Sequence, residues 1–160
     1  MARRKSVNLV RDIGVDPIYK QESVQKLINV LMSRGKKNAA RKIVYDALEI
    51  IMKKNNGDSD KAVEIFNHAI NEIVPVVEVR PRRVGGSVYQ IPREVSVRRG
   101  RALAYRWLKK AASDRSDKTM GQRLAHELLD AAEGRGGAFK KKTDVHKMAE
   151  SNRAFSHFSW

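Results

Sequence analysis

Apolar residues recur at helical spacing along most of the chain, and the pattern changes character only around residues 75–94. From Ser23 they fall at Val24, Leu27, Ile28 and Leu31, the spacing of one helical face. Gly35 is placed to cap that helix at its C-terminus. Lys36, Lys37, Arg41 and Lys42 open a second helix with a buried stripe of Ala40, Ile43, Val44, Ala47, Leu48 and Ile51, ending before Asn55-Asn56-Gly57. Asp58 or Asp60 caps a third, with Val63, Phe66, Ile70 and Ile73 inward, and Pro75 stops it.

Between Pro75 and Pro92 the spacing turns to short β-branched runs on either side of Gly85-Gly86. A Gly-Gly pair there suits a two-residue turn with positive φ, hence a β-hairpin. Val77, Val79, Val88 and Ile91 are too few to bury a sheet, and an isolated hairpin is marginal in water, so the arm must rest on something else. Tyr89 could stack on a base, but the preferred reading is a ring that packs the arm onto the body.

Helical spacing then resumes. Ser96 caps a fourth helix carrying Leu103, Ala104, Trp107, Leu108 and Ala111 inward, with Trp107 as core. Ser116 or Asp117 starts a fifth with Met120, Leu124, Leu128 and Leu129, closed near Gly134. Gly134-Arg135-Gly136-Gly137 and Lys140-Lys141-Lys142 read as a loop before a last helix from about Thr143, with Val145, Met148 and Ala149 on one side. Phe155, Phe158 and Trp160 end the chain.

The expectation is a mainly α fold: about six helices in a single bundle-like domain with a protruding β-hairpin arm between helices three and four. Within 1–160, residues 1–15 form a basic N-terminal arm, 16–75 helices one to three, 76–92 the hairpin arm, 93–134 helices four and five, and 135–160 a basic loop and C-terminal helix. The first segment is a basic arm that orders on binding or, alternatively, a frayed solvated tail. No repeat of solenoid period is present.

Charge changes this picture from a bundle to a binding surface. Lys+Arg 33 against Asp+Glu 18 gives a net charge of +15, which favours a polyanionic partner, nucleic acid first. From residue 43 to 74 three lysines face six acids, whereas from 75 to 110 ten basic residues face only Glu78 and Glu94. Such segregation suits a directional binding face. Four clusters (3–5, 36–42, 80–83, 93–110) carry the surplus, and the central arginines are suited to bidentate phosphate contact and to stacking.

Other chemistry finds no candidates. Without cysteine there are no disulfides or thiolate–metal sites, and the four histidines lack metal-ligand spacing, so no metal or cofactor is expected. Gly35-Lys36-Lys37 lacks the upstream glycine and the Ser/Thr of a P-loop, and no serine sits in a nucleophile elbow, so no enzyme and no small-molecule substrate are indicated. The N-terminus lacks the apolar run of a secretory signal, and no window is apolar enough to span a membrane.

Residues 23–54 also admit a helix-turn-helix reading, with the basic start of the second helix in a DNA major groove. Lys36-Lys37-Asn38 suits phosphates better than base edges, however, and arginine patches on several elements fit a folded, irregular RNA better than a straight duplex.

Five blocks then carry a family resemblance nearly end to end: SRGKKNAARKIVYDALEII (33–51), VEVRPRRVGGSVYQIPREV (77–95), RALAYRWL (101–108), KTMGQRLAHELLDAAEGRG (118–136) and KKKTDVHKMAESNRAFSHFSW (140–160). They resemble the small-subunit ribosomal protein seven family, bacterial type. The resemblance implies a structural, non-enzymatic constituent of the cytoplasmic small ribosomal subunit that binds the 3′ major domain of ribosomal RNA and nucleates assembly of the head. It implies exit-site tRNA and mRNA nearby, small-subunit proteins nine and eleven as neighbours, and in some members repression of their own mRNA. Carried onto this chain, the ribosomal RNA contacts are Arg3, Arg4, Lys5, Lys36, Lys37, Arg41, Arg80, Arg82, Arg83, Arg98, Arg99 and Arg101. Val84, Gly85, Gly86, Arg135, Lys140, Lys141 and Lys142 would lie near tRNA and mRNA.

Overall fold

The computed structural model describes residues 12–158, with side chains to residue 157. Arg3, Arg4, Lys5, Arg11 and Trp160, and the side chain of Phe158, lie outside the described residues. Asp16 marks where the chain enters the body. Its fully buried carboxylate accepts the N–H groups of Ile18 and Tyr19, both at 3.1 Å, and the Tyr45 hydroxyl at 2.7 Å.

Helix α1 (Glu22–Leu31) buries Val24, Leu27, Ile28 and Leu31, as the spacing requires. It ends at Met32, whose N–H bonds the Ile28 carbonyl, so Gly35 does not cap it. Arg34 and Gly35, both at positive φ (51° and 74°), instead turn the chain into α2 (Lys37–Lys54). The stripe of α2 is buried as expected, except that Ile43 lies at its edge. Helix α3 (Ser59–Ile73) is capped by Asp58, which accepts the N–H groups of Asp60 and Lys61. Ala62, Phe66, Ala69, Ile70 and Ile73 form its inner face. Val63, expected inward, is rotated one residue off that face and lines an open groove with Ile18 and Tyr19.

Helix α4 (Val97–Asp114) buries Ala104, Tyr105, Leu108 and Ala112. Trp107, expected in the core, is half-buried at its edge, and Tyr105 occupies the interior instead. Helix α5 (Met120–Ala132) runs through the middle, packed against α2, α3 and α4. Gly121 permits the approach to α2, because a Cβ there would stand 2.9 Å from that of Asp46. The cap of α5 is Thr119, in a capping box with Gln122, later than the expected Ser116 or Asp117. Asp117 is otherwise engaged, facing Arg115 and His126. At the other end Gly134 (φ 71°) and Arg135 return their N–H groups to the Ala131 and Asp130 carbonyls, a Schellman closure.

The largest departure from expectation is α6 (Gly136–Ser151), which begins well before Thr143 and makes Lys140, Lys141 and Lys142 helical. The reason lies on α5. Glu127, only 1% exposed, accepts the Ala138 N–H at 2.8 Å and pairs with Arg115 at 2.7 Å, capping α6 from another helix. Gly136 (φ 89°) must lack a side chain, since its Cβ would meet Glu127 Oε1 at 2.8 Å. Met148, expected on the packed side of α6, is exposed, while Ala138 and Ala149 are buried.

The hairpin has the expected form. Strands β1 (Val77–Val84) and β2 (Ser87–Glu94) pair antiparallel, with Val84 opposite Ser87 and positive φ at both Gly85 (57°) and Gly86 (88°). Its root rests on α6 and on a short 3-10 helix, Arg153–Phe158. Ile91 is buried, and the Tyr89 ring lies 4.9 Å from that of Phe155. Pro81, Arg82, Arg83 and Gly85 to Val88 are exposed, so the outer half projects free of the body. The charge pattern assigns the hairpin's support to RNA, but at its root that support is the chain's own C-terminal segment.

Candidate nucleic-acid interface

Two of the sequence-predicted arginines, Arg80 and Arg99, converge at the hairpin root, where one acid holds both. Glu78, 8% exposed, accepts Arg80 Nε at 2.7 Å through Oε1 and Arg99 Nε at 2.8 Å through Oε2. Burial would push its carboxyl pKa up. The hydrogen bonds from Arg99 and Arg80 outweigh that and hold it below the usual range, so the acid stays charged. Each guanidinium has five donors and commits its Nε here, which leaves the terminal nitrogens of two half-exposed side chains available to an anion. Sequence reasoning treated Arg80 and Arg99 as free cations and counted Glu78 only as one of two opposing acids, without its pairing to either. The adjacent Glu-x-Arg could have signalled the first pair, but Arg99 is 21 residues away.

Gly100 brings α4 to this root. It packs where a Cβ would lie 3.0 Å from Val74 Cγ1 and 3.1 Å from the Pro75 carbonyl, against the end of α3. Arg98 and Arg101 flank it, exposed and without ion pairs or hydrogen bonds among the described residues. Arg82 and Arg83 are likewise unpaired, and strand alternation sends them to opposite sides of the arm. Lys109, expected on the cationic face, is engaged instead: its Nζ donates to the Val30 carbonyl at 2.8 Å and ties α4 to the end of α1. That contact sets α4 beside the turn bearing Arg34, Lys36 and Lys37, all exposed. Arg34 was absent from the predicted contacts. Arg41 is half-buried, with its Nε shielded and without a hydrogen-bond partner.

Apart from that of α1, which has no side-chain cap but carries Glu22 in its first turn, the helix starts divide into two kinds. Those of α3, α5 and α6 are served by the carboxylate or hydroxyl of Asp58, Thr119 and Glu127. Those of α2 and α4 have no side-chain cap and no acid in the first turn, and carry Lys36, Lys37, Arg98 and Arg99 instead. Cations beside the positive end of a helix dipole are unfavourable by about 0.3–1 kcal/mol each in the absence of an anion. The same N–H groups and charges together make an anion site. Both unsupported starts adjoin predicted contacts.

At the third predicted locality, Arg135 pairs with Glu133, and Lys140 and Lys141 are exposed, with no ion pair or hydrogen bond among the described residues. Lys142 is committed to the body, its Nζ 2.6 Å from the Glu72 carbonyl and above the Phe139 ring. Among the described residues no cluster of His, Cys, Asp or Glu could hold a metal, and no helix is long and apolar enough to cross a membrane.

Comparison with known proteins decides the lineage. The family described as Ribosomal protein S7p/S5e matches residues 2–153. The chain belongs to that family. Curated relatives named small ribosomal subunit protein uS7 are similar over nearly the whole length: 54% identical over 158 residues in Thiobacillus denitrificans, covering 99% of each chain. The Acetivibrio thermocellus relative is 52% identical over 150 residues, 94% of each chain, and that of Campylobacter hominis 51% over 160, all of both. Membership in this ribosomal family agrees with the resemblance drawn from the five sequence blocks. Neither alternative, a helix-turn-helix DNA regulator or a repressor of its own mRNA, gains support from these relatives.

Proposed function

We propose that this ribosomal family member holds small-subunit ribosomal RNA by charge and shape, as a structural constituent of the subunit and without turnover. The observation that carries this reading is the pair of cationic, side-chain-uncapped helix starts at α2 and α4, the second of them joined to the hairpin root through Arg99 and Glu78. Phosphates supply what those starts lack. The RNA partner is the 3′ major domain, and the whole chain, 1–160, works as one domain in nucleating assembly of the subunit head. The contacts are Arg3, Arg4 and Lys5 of the arm with Lys36, Lys37, Arg41, Arg80, Arg82, Arg83, Arg98, Arg99 and Arg101, to which the turn adds Arg34.

The tip Val84-Gly85-Gly86, with Arg135, Lys140 and Lys141, faces the exit-site tRNA and the mRNA path, and small-subunit proteins nine and eleven are neighbours in the cytoplasmic ribosome. Lys142 serves α6 rather than RNA, given its bond to Glu72. Hydroxyl-radical footprinting on full small-subunit ribosomal RNA tests the reading. Protection confined to the 3′ major domain, weakened by charge reversal at Lys37 or Arg98, is the expected result. Protection spread evenly over the RNA would overturn it.

A further inference from the structure

Between α4 and α6 lies a cavity of about 390 Å³ whose walls include Trp107, Ala111 and Gly137. That volume falls in the range of small-ligand pockets. Trp107 is half-buried there, and its indole makes no hydrogen bond and meets no aromatic ring among the described residues. An indole N–H left unused beside an open cavity is not accounted for by core packing. Lys110, Asp114 and Lys141 stand around the same cavity, and none has an ion pair or hydrogen bond among the described residues. Lys110 and Asp114, four residues apart on α4, have the spacing of a helical ion pair and do not form one.

An aromatic wall, one free carboxylate and two free ammonium groups match the parts of a nucleotide. The ring stacks, the carboxylate accepts from an exocyclic amino group, and the ammoniums take flanking phosphates. We infer that this cavity takes a single unstacked nucleobase of the bound RNA, with Trp107 as its stacking platform and Asp114 as its edge reader. The inference rests on the RNA-binding reading above, and adds a base-reading subsite to a surface otherwise built for phosphates. A free amino group on the base favours adenine, cytosine or guanine over uracil.

The test uses full-length protein with Trp160→Phe, which leaves Trp107 as the sole tryptophan of the two in the chain. A transcript of the 3′ major domain is titrated while filter binding follows saturation independently. The expected result is quenching of Trp107 emission in step with binding. Trp107→Ala should weaken binding by roughly tenfold to a hundredfold with the salt slope unchanged. Trp107→Phe should retain part of the affinity, and Asp114→Asn should lose roughly fivefold. Should Trp107→Ala fail to fold by circular dichroism, the emission change and Asp114→Asn decide the matter. Saturation with Trp107 emission unmoved would overturn the cavity inference and leave the RNA reading standing. Emission that responds only once a second protein joins the complex would assign the cavity to a protein and overturn it equally. No saturation at all would overturn both.

Discussion

Glu78→Gln separates positioned charge from mere charge. The substitution keeps the shape of the side chain, removes the acceptor charge for Arg80 and Arg99, and raises the net charge by one. Breaking a fully buried pair costs about 3–5 kcal/mol. Here the Glu78 side chain is 10% exposed, but its partners are 41% and 45% exposed and recover water, so about 1–2 kcal/mol is expected. For a chain of this size that lowers Tm by roughly 2–8 °C, read by calorimetry, with the helical signal intact. The folded pKa of Glu78 is depressed, so its stabilisation is present above its ordinary value of 4.5 and is lost as pH falls through the folded value. The variant should lack that acid-side loss. Net charge alone predicts tighter RNA binding by the variant. The Glu78-held geometry predicts weaker binding, by several-fold, because two guanidiniums lose the bonds that aim them. Equal or tighter binding by filter assay would refute the organising role of Glu78.

Gly100→Ala should lower stability by about 1–3 kcal/mol by thermal melt, because the new methyl meets Val74 and the Pro75 carbonyl at the root of α4. Glu127→Ala should cost about 3 kcal/mol and release the Ala138 amide to hydrogen exchange before the middle of α5, since Arg115 keeps only its other acids. His146 Nε2 accepts the Val76 N–H at 3.3 Å when neutral, and burial, then Lys142, holds its pKa below 6.5. Its contribution is therefore present above pH 6.5 and lost as pH falls through the folded value. The Val76 amide resonance should move as the pH falls below 6.5, and His146→Gln should abolish the movement.

The fold was legible where local pattern decides it. The spacing of Val24, Leu27, Ile28 and Leu31 places α1, and Gly85-Gly86 between short β runs places the hairpin. What stayed hidden depends on partners distant in the chain. Glu127 starts α6 from another helix, so Gly136 and Gly137, read as loop, belong to a helix whose cap lies outside it. Lys109 and Lys142 read as surface cations, yet each bonds a backbone carbonyl 79 or 70 residues away. Positive charge in a sequence marks the surface where an anion could bind. It does not tell which cations are already engaged, and at the hairpin root that distinction rests on Glu78, whose link to Arg99 exists only after folding.

The most direct test of RNA binding by distributed phosphate contacts is the affinity for the 3′ major-domain transcript as a function of salt. Six to ten phosphate contacts require a linear fall in log affinity with log salt, losing about 10³–10⁵ between about 50 and 200 mM. Charge removal at unpaired Arg98 or Arg101 should reduce the slope by roughly one each, whereas removal at Lys142, already bonded to Glu72, should leave it unchanged. A flat salt response, or a slope that falls equally for Lys142, would contradict the account.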